Sequence, residues 1–431
     1  MRALVLGASG FIGAHVSRAF AAAGWDVRAG ARRPIEAARL APCFEWVAAD
    51  FADLGQASAW RPLLEGVDVV INCVGVLQDG AGDRLEAAHL TGPTALISAC
   101  ESLPVQRLIQ ISAVGADAEA GTTYARTKAR TEMLIAASTL DWVVLRPSLV
   151  MARNAYGGTS LMRGLAALPC IVPVVGGDQL FRPVWIDDLS EAIVRLAKPG
   201  APSRLIIEVA GPEAIGLGDL LSRLRAWLGL KPARIVHIPQ ALAIPVLLAG
   251  DLLGRLGWPS ALRTTSMKQM AYNVEGDAEA WTKVTGIDPT TMDDALVRNP
   301  ASSADRWQAK LYFLRPLSIL LLGLFWLLTG LISLGPGWNK ALAILHAGGY
   351  GETSVAILVI GGLFDVAMGL ALFQRRWTAR IAILMAIATV GYLIAGSLSL
   401  PQLWADPMGP WLKVVPMMAL CLFIAATDER R

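Results

Sequence analysis

The sequence predicts an α/β protein: a doubly wound parallel sheet with a small α+β substrate lobe, then an all-α domain of four transmembrane helices. Three observations carry this. The chain opens on a strand, a glycine turn and a helix, in MRALVLGASGFIGAHV. Strand-like and helix-like segments then alternate through the first 150 residues. Charge almost disappears late in the chain, with eight charged residues among the 112 of the segment 316–427.

Residues 3–6 are apolar and read as a buried strand, and 11–23 fit a helix. That setting turns a weak glycine motif into a dinucleotide-binding one. Gly7 takes the tight turn, Gly10 admits a pyrophosphate close to the backbone, and Gly13 lets the helix lie on the strand. The helix then offers its free N–H groups and dipole to the phosphates. The expected contacts are Gly7, Ser9, Gly10, Phe11, Ile12 and Gly13, at G-x-x-G-x-x-G spacing. An ordinary glycine turn is the bland alternative.

Further strands are expected at 26–30, 44–49, 68–74, 107–112 and 142–147, with helices at 83–101 and 122–138. Right-handed crossovers place the glycine turn at the carboxyl edge of a Rossmann-type sheet, at its switch point. The second strand ends in Val27-Arg28-Ala29-Gly30-Ala31-Arg32-Arg33, without the acid that takes a ribose 2′-OH. Arg32 and Arg33 are planar forks suited to a 2′-phosphate, which favours NADP over NAD. The alternative is a pair of solvated arginines. Asp50, beside Phe51 at the end of the third strand, either accepts from an adenine amino group or caps the next helix. Val74 and Gly75 follow the fourth strand, where Gly75 lets backbone pass close to the cofactor.

The catalytic candidates come after the fifth strand. Ser112 ends it, and Tyr124 and Lys128 follow at i and i+4 on one helix face. A phenol with a pKa near 10 exchanges protons poorly at neutral pH. A neighbouring ammonium is expected to lower that pKa, so that Tyr124 can pass a proton to a carbonyl as hydride arrives. Lys128 would also hold the nicotinamide ribose, and Ser112 would hydrogen-bond the same carbonyl.

These residues resemble the atypical and extended branches of the short-chain dehydrogenase/reductase superfamily. The likeness rests on GASGFIG at 7–13, ARR at 31–33, the Ser112 strand end, YARTK at 124–128, LRPSLV at 145–150 and FRPVWIDDLSEAI at 181–193. It covers roughly residues 1–298 and looks most like the group around the NAD(P)H-binding accessory subunit of respiratory complex I. The resemblance implies a substrate lobe over 148–298 and Pro147 beside the nicotinamide. It also implies that Pro183, Val184 and Asp187 begin a helix that closes the pocket. Two features depart from the pattern: a short Ser-to-Tyr gap of twelve, and His89-Leu90-Thr91-Gly92 where an Asn is usual. The last 120 or so residues resemble the DoxX-like four-helix membrane domain.

Composition agrees with a membrane part. The chain is 54% hydrophobic and 17% charged, with net charge +3 and no basic cluster that points to nucleic acid. Its five cysteines form no metal spacing and suit a reducing compartment. The first apolar stretch runs straight into the glycine turn, which argues against a secretory signal. Spans are expected at about 316–336, 354–374, 381–401 and 408–427, after a linker at 299–310. Arg306, Lys310, Arg315, Arg375, Arg376, Arg380, Arg430 and Arg431 flank one side and only Lys340 and Lys413 the other. That asymmetry puts both termini and the soluble domain on the cytoplasmic side of an inner membrane. Asp365 falls inside a span, as a proton or quinol site or as a packing residue. The apolar stretch 240–258 is either a core helix of the lobe or a helix on the membrane surface.

Three functions fit these features. The first is a membrane-tethered NADP(H)-dependent oxidoreductase acting on a carbonyl or alcohol of a lipophilic or quinone-like molecule. The second is a non-catalytic NAD(P)H-binding module in assembly or redox sensing of a membrane complex. The third is an NAD-dependent sugar-nucleotide epimerase.

Overall fold

The computed structural model describes all residues except 81–83, 177–178, 256, 259–260, 271–275 and 429–431. Arg430 and Arg431, used above for orientation, lie outside the described residues. The chain divides into two compact units: Met1–Arg255 with Pro259–Ala309, and Leu256–Trp258 with Lys310–Arg431.

The first unit is a seven-stranded parallel sheet. Its strands are β1 (Arg2–Leu6), β2 (Asp26–Ala31), β3 (Glu45–Ala48), β4 (Val69–Asn72), β5 (Arg107–Ile111), β6 (Trp142–Pro147) and β7 (Leu205–Val209). In space they run β7-β6-β5-β4-β1-β2-β3. The order reverses at β1, which pairs with β2 on one side and β4 on the other. Central strands are covered on both faces, so β4 and β5 are buried along their length and β1 from Ala3 onward. On one face α1 (Phe11–Ala22) contributes Val16 and Phe20, the Ile186–Leu196 helix Leu189 and Ile193, and Trp281 closes the layer. The other face packs Trp60, Leu96, Ile97 and Ile135.

The lobe beyond β6 is built from short strand pairs and helices. Ile171–Val175 pairs with Arg234–Ile238, and Val150–Met151 with Val184–Trp185. The 181–193 segment therefore differs from its expected form. Val184 and Trp185 are strand, the helix starts at Ile186, and its buried residues pack into the sheet core.

The expected linker is also largely helix. Ser303–Leu334 is one helix of 32 residues. Ser302 and Asp305 form a reciprocal cap, with Asp305 accepting from the Ser302 amide at 2.8 Å and Asp305 N–H donating to the Ser302 hydroxyl at 3.3 Å. That Ser-x-x-Asp box starts the helix and leaves only a few residues of connector.

Among the described residues, three helices are long and apolar enough to cross a bilayer: Ser303–Leu334, which runs on into the second unit, and Gly351–Leu372 and Thr378–Ser399 within it. The fourth expected span is the 17-residue helix Pro410–Ala426, about 26 Å long. All four place side chains in one core, including Leu322, Leu372, Met385 and Cys421. Glycines set the closest approach. A Cβ on Gly330 would lie 2.5 Å from the Gly362 carbonyl oxygen, and one on Gly369 would lie 2.8 Å from that of Gly323. Backbone-to-backbone contact of this kind is how helices pack where lipid removes the hydrophobic drive. Asp365 accepts from the Tyr392 hydroxyl at 3.0 Å, joining two of the helices.

Candidate functional site

The site forms where the chain turns after β1, β4 and β5, at the carboxyl edge of the sheet. Gly7 has φ +73°, a conformation that favours glycine. A Cβ there would sit 3.2 Å from both Cys73 C and Val74 N, so the turns after β1 and β4 touch. A crevice at this switch point is the usual ligand position in open α/β sheets. The first turn of α1 carries no acidic residue, and its N-cap, Gly10, makes no side-chain bond. Its N–H groups and dipole are thus fitted to a diphosphate. Ser9 and Gly10 are exposed, whereas Ile12 packs against the core. Phe11 stacks on Tyr156 of the lobe at 6.2 Å, and His15 beside it bonds Asn154 at 2.9 Å.

The helix α2 (Thr123–Ala136), which carries Tyr124 and Lys128, starts at Thr122, whose hydroxyl accepts from Ala125 N–H. Its register puts Tyr124, Lys128 and Glu132 on one face, four residues apart. Lys128 is buried, and its Nζ donates to the Ile111 carbonyl at 2.9 Å. A Cβ on Gly75 would stand 3.3 Å from that Nζ and 3.7 Å from His89 Nε2. Gly75, Lys128 and His89 therefore converge. Burial draws the Lys128 pKa down to about 8, against the pull of Glu132 and Cys73.

Tyr124 departs from expectation. Burial pushes its phenol up to about 12, and no lowering by Lys128 offsets this. The physical reason is that the ammonium is turned to the Ile111 carbonyl while the ring is desolvated. The Tyr124 hydroxyl bonds no other described side chain or backbone group.

His89 joins the candidate site although the sequence pattern gave it no role there. It lies in a π-helical turn, Ala87–Thr91, of a kind frequent at functional sites. Its Nε2 accepts from Val76 N–H at 3.1 Å. That bond assigns the proton to Nδ1, 3.0 Å from the Thr127 hydroxyl, which donates to the Tyr124 carbonyl at 3.0 Å. Burial, with Lys128 nearby, drives the His89 pKa down to about 2, so the imidazole is neutral. Its ring meets Tyr124 edge-on at 5.5 Å. His89 thus fastens the loop after β4 to the helix that carries Tyr124.

Comparison with known proteins places this geometry. A family model described as NAD(P)H-binding matches residues 7–164, and one described as a DoxX-like family matches 323–422. The chain thus fuses an NAD(P)H-binding Rossmann domain to a DoxX-like domain. The 40 kDa subunit of NADH-ubiquinone oxidoreductase from Neurospora crassa is 23% identical over 56% of this chain, which spans 62% of that protein. Ceramide reductase from Caulobacter vibrioides is 24% identical over 61% of this chain and 80% of that protein. In fold, UDP-glucuronic acid 4-epimerase from Bacillus cereus, solved with NAD, superposes with a TM-score of 0.55 at 18% identity. That match covers 72% of this chain and all of the epimerase chain.

The other candidates of the NAD(P)H-binding domain fall in different settings. Arg32 and Arg33 are exposed just past β2, and Arg33 pairs with Glu36 at 3.0 Å. Asp50 accepts from Ala52 N–H at 3.0 Å and so caps a turn, since the next helix begins only at Ala57. Phe51 is a core residue, edge-on to Trp60 at 5.1 Å. Pro147 is buried, with its carbonyl accepting from Val114 N–H at 3.2 Å. Val74 donates its N–H to Asn72 at 3.0 Å, and Asn72 in turn donates to Gln110 at 2.9 Å.

Ser112 is buried, and its hydroxyl donates to Glu132, which also receives Arg146 in a bidentate pair. The proton expected for a substrate carbonyl is therefore engaged within the protein. Glu132 is the hub of this cluster. Glu132→Ala is expected to lower stability by about 3 kcal/mol, because it strands a half-buried guanidinium. Glu132→Gln, which keeps an acceptor, should cost clearly less. Equal thermal unfolding of the two variants would remove the charge pairing from the explanation.

Proposed function

We propose that this protein is a membrane-tethered NADP(H)-dependent oxidoreductase that transfers hydride to or from a carbonyl or alcohol carbon of a lipophilic, quinone-like small molecule, with its soluble unit on the cytoplasmic side. The observation that carries this reading is the convergence of Gly75, Lys128, His89 and Tyr124 beside the glycine turn. The cradle fits the coenzyme: Gly7 and Gly10 leave room at an uncapped helix start. Gly7, Ser9, Gly10 and the first N–H groups of α1 would hold the diphosphate, Arg32 and Arg33 a 2′-phosphate, and Lys128 the ribose. A bound nicotinamide supplies the hydride. Tyr124, protonated at neutral pH, gives its proton to the carbonyl oxygen as the carbon receives the hydride. Lys128, one helix turn on and bonded to the Ile111 carbonyl, is the cation that would steady the phenolate left behind. His89, neutral, keeps the Val76 loop and Tyr124 in register without competing for the proton.

A second reading has its own support. Ser112 is committed to Glu132, and a similar protein is named as a subunit of a respiratory complex. A coenzyme-binding module with no turnover would retain NADPH and need only the cradle.

Cofactor choice is tested by fluorescence titration of the full chain with NADPH and NADH. Replacing Arg32 and Arg33 by alanine is expected to weaken NADPH about 10- to 100-fold, the worth of one or two charge-assisted bonds, and to leave NADH unchanged. Equal affinity for both coenzymes before and after the change would falsify the 2′-phosphate assignment.

A further inference from the structure

The Gln240–Arg255 helix is apolar on every side for most of its length. No polar side chain occurs in 241–250. Ala243, Leu247, Gly250 and Gly254 are buried, which is one narrow seam. Leu242, Ile244, Val246, Leu248, Leu252 and Leu253 are all exposed, Leu242 by 69% and Leu252 by 59%. The acid in this helix, Asp251, is turned to Thr264 and Arg263, with the Thr264 hydroxyl donating to it at 2.6 Å and the Arg263 guanidinium paired with it at 3.8 Å. The outward face is therefore both apolar and uncharged. A contiguous patch of that kind marks an interaction surface.

The chain itself indicates what covers this face. Trp258 belongs to the membrane unit, where its indole N–H donates to the Phe373 carbonyl at 2.8 Å. Phe373 caps the Ser354–Leu372 helix, and Arg375 and Arg376 follow it. Span ends rich in arginine sit at the polar boundary of a bilayer. The three residue steps from Arg255 to Trp258 reach about 10 Å at most. The chain thus tethers the end of this helix closely to a residue of the membrane unit.

We infer that the Gln240–Arg255 helix lies in the plane of the bilayer interface, with its Leu242, Ile244, Val246, Leu248, Leu252 and Leu253 side chains among the acyl chains. Its occupant is lipid. Such helices bury their apolar face about 5–10 Å into the headgroup and acyl boundary. The inference rests on the membrane unit and on this helix, and is independent of the chemistry proposed above.

The test uses the full chain in nanodiscs, with the two exposed thiols removed by Cys43→Ser and Cys170→Ser. A fluorescent label is placed at Leu248→Cys, at Leu252→Cys and, as a control on a water-facing helix, at Ile35→Cys. Spin-labelled phosphatidylcholine is expected to cut emission at 248 and 252 about two-fold and to leave position 35 unchanged, given the insertion depth. Aqueous iodide should give the reverse order. Quenching by iodide at 248 and 252 equal to that at 35 overturns the inference, because the face is then in water. Protection from both quenchers with cross-linking between copies overturns it in favour of a second chain. Ala249→Cys, a smaller change on the same face, repeats the measurement if the leucine variants fail to fold.

Discussion

Gly13→Ala is expected to lower the stability of the NAD(P)H-binding unit by about 3 kcal/mol and to abolish coenzyme uptake. The added Cβ would stand 2.2 Å from the Gly7 carbonyl oxygen, 2.7 Å from its carbon and 3.0 Å from Ala8 Cα. These are backbone atoms of the turn itself, so no rotamer change relieves the clash. Helix α1 must back away from β1, and its first-turn N–H groups leave the position where they meet a diphosphate. Gly158 supplies the contrast. It has no atom within 4 Å of an added Cβ, and its φ is ordinary. Gly158→Ala should therefore change stability by less than about 0.5 kcal/mol and leave NADPH binding intact. Thermal unfolding and fluorescence titration read both effects. If the two variants melt and bind alike, close approach of helix and strand is not what Gly13 provides.

The same contrast shows why some of the molecule was legible and some was not. Parallel strands buried on both faces are near-continuous apolar runs, so β1, β4, β5 and β6 stand out, and the glycines between β1 and α1 carry a steric meaning that sequence spacing preserves. Tyr124 and Lys128 were legible because helix periodicity alone puts them on one face. Glu132 could have been found by the same rule, one turn further on. His89 could not, because a π-turn breaks the 3.6-residue period and redirects the side chain. The bond from Ser112 to Glu132 joins residues 20 apart and depends on how the Thr123–Ala136 helix docks on the sheet. The Ser302–Asp305 cap was present as a local signal, masked by a composition that reads as linker. Phe51 shows the limit of adjacency: it follows Asp50 in sequence, yet its ring faces the core. The membrane part was legible as composition, while the glycine contacts that join its helices depend on tertiary packing.

Tyr124→Phe is expected to cut carbonyl reduction by about 10²- to 10⁴-fold while leaving NADPH affinity unchanged, since it removes the acidic hydroxyl and little volume. Unchanged turnover would mean that the phenol is not the acid. The pH dependence sharpens this, because activity and stability should move in opposite directions. Burial holds the Lys128 pKa near 8 in the folded chain, against an ordinary value of 10.5. Below pH 8 the ammonium is present and can stabilise the phenolate that proton donation leaves behind. Reduction should therefore slow as pH rises through about 8. For stability the sign is reversed. Between pH 8 and 10.5 the unfolded chain binds the proton and the folded chain does not, so unfolding becomes harder as pH rises. The window is worth about 3 kcal/mol at 1.36 kcal/mol per unit. Below pH 8 both states carry the charge, and the cost of burying it is constant. Lys128→Met should erase the stability rise and the rate step together, while the glycine cradle still admits the diphosphate. A coenzyme-binding module without turnover shares the stability rise, because that term needs only the buried amine. It shows neither the rate step nor any sensitivity to Tyr124→Phe. The pair of pH curves, taken on the same full-length protein, therefore separates a working active site from a retained coenzyme.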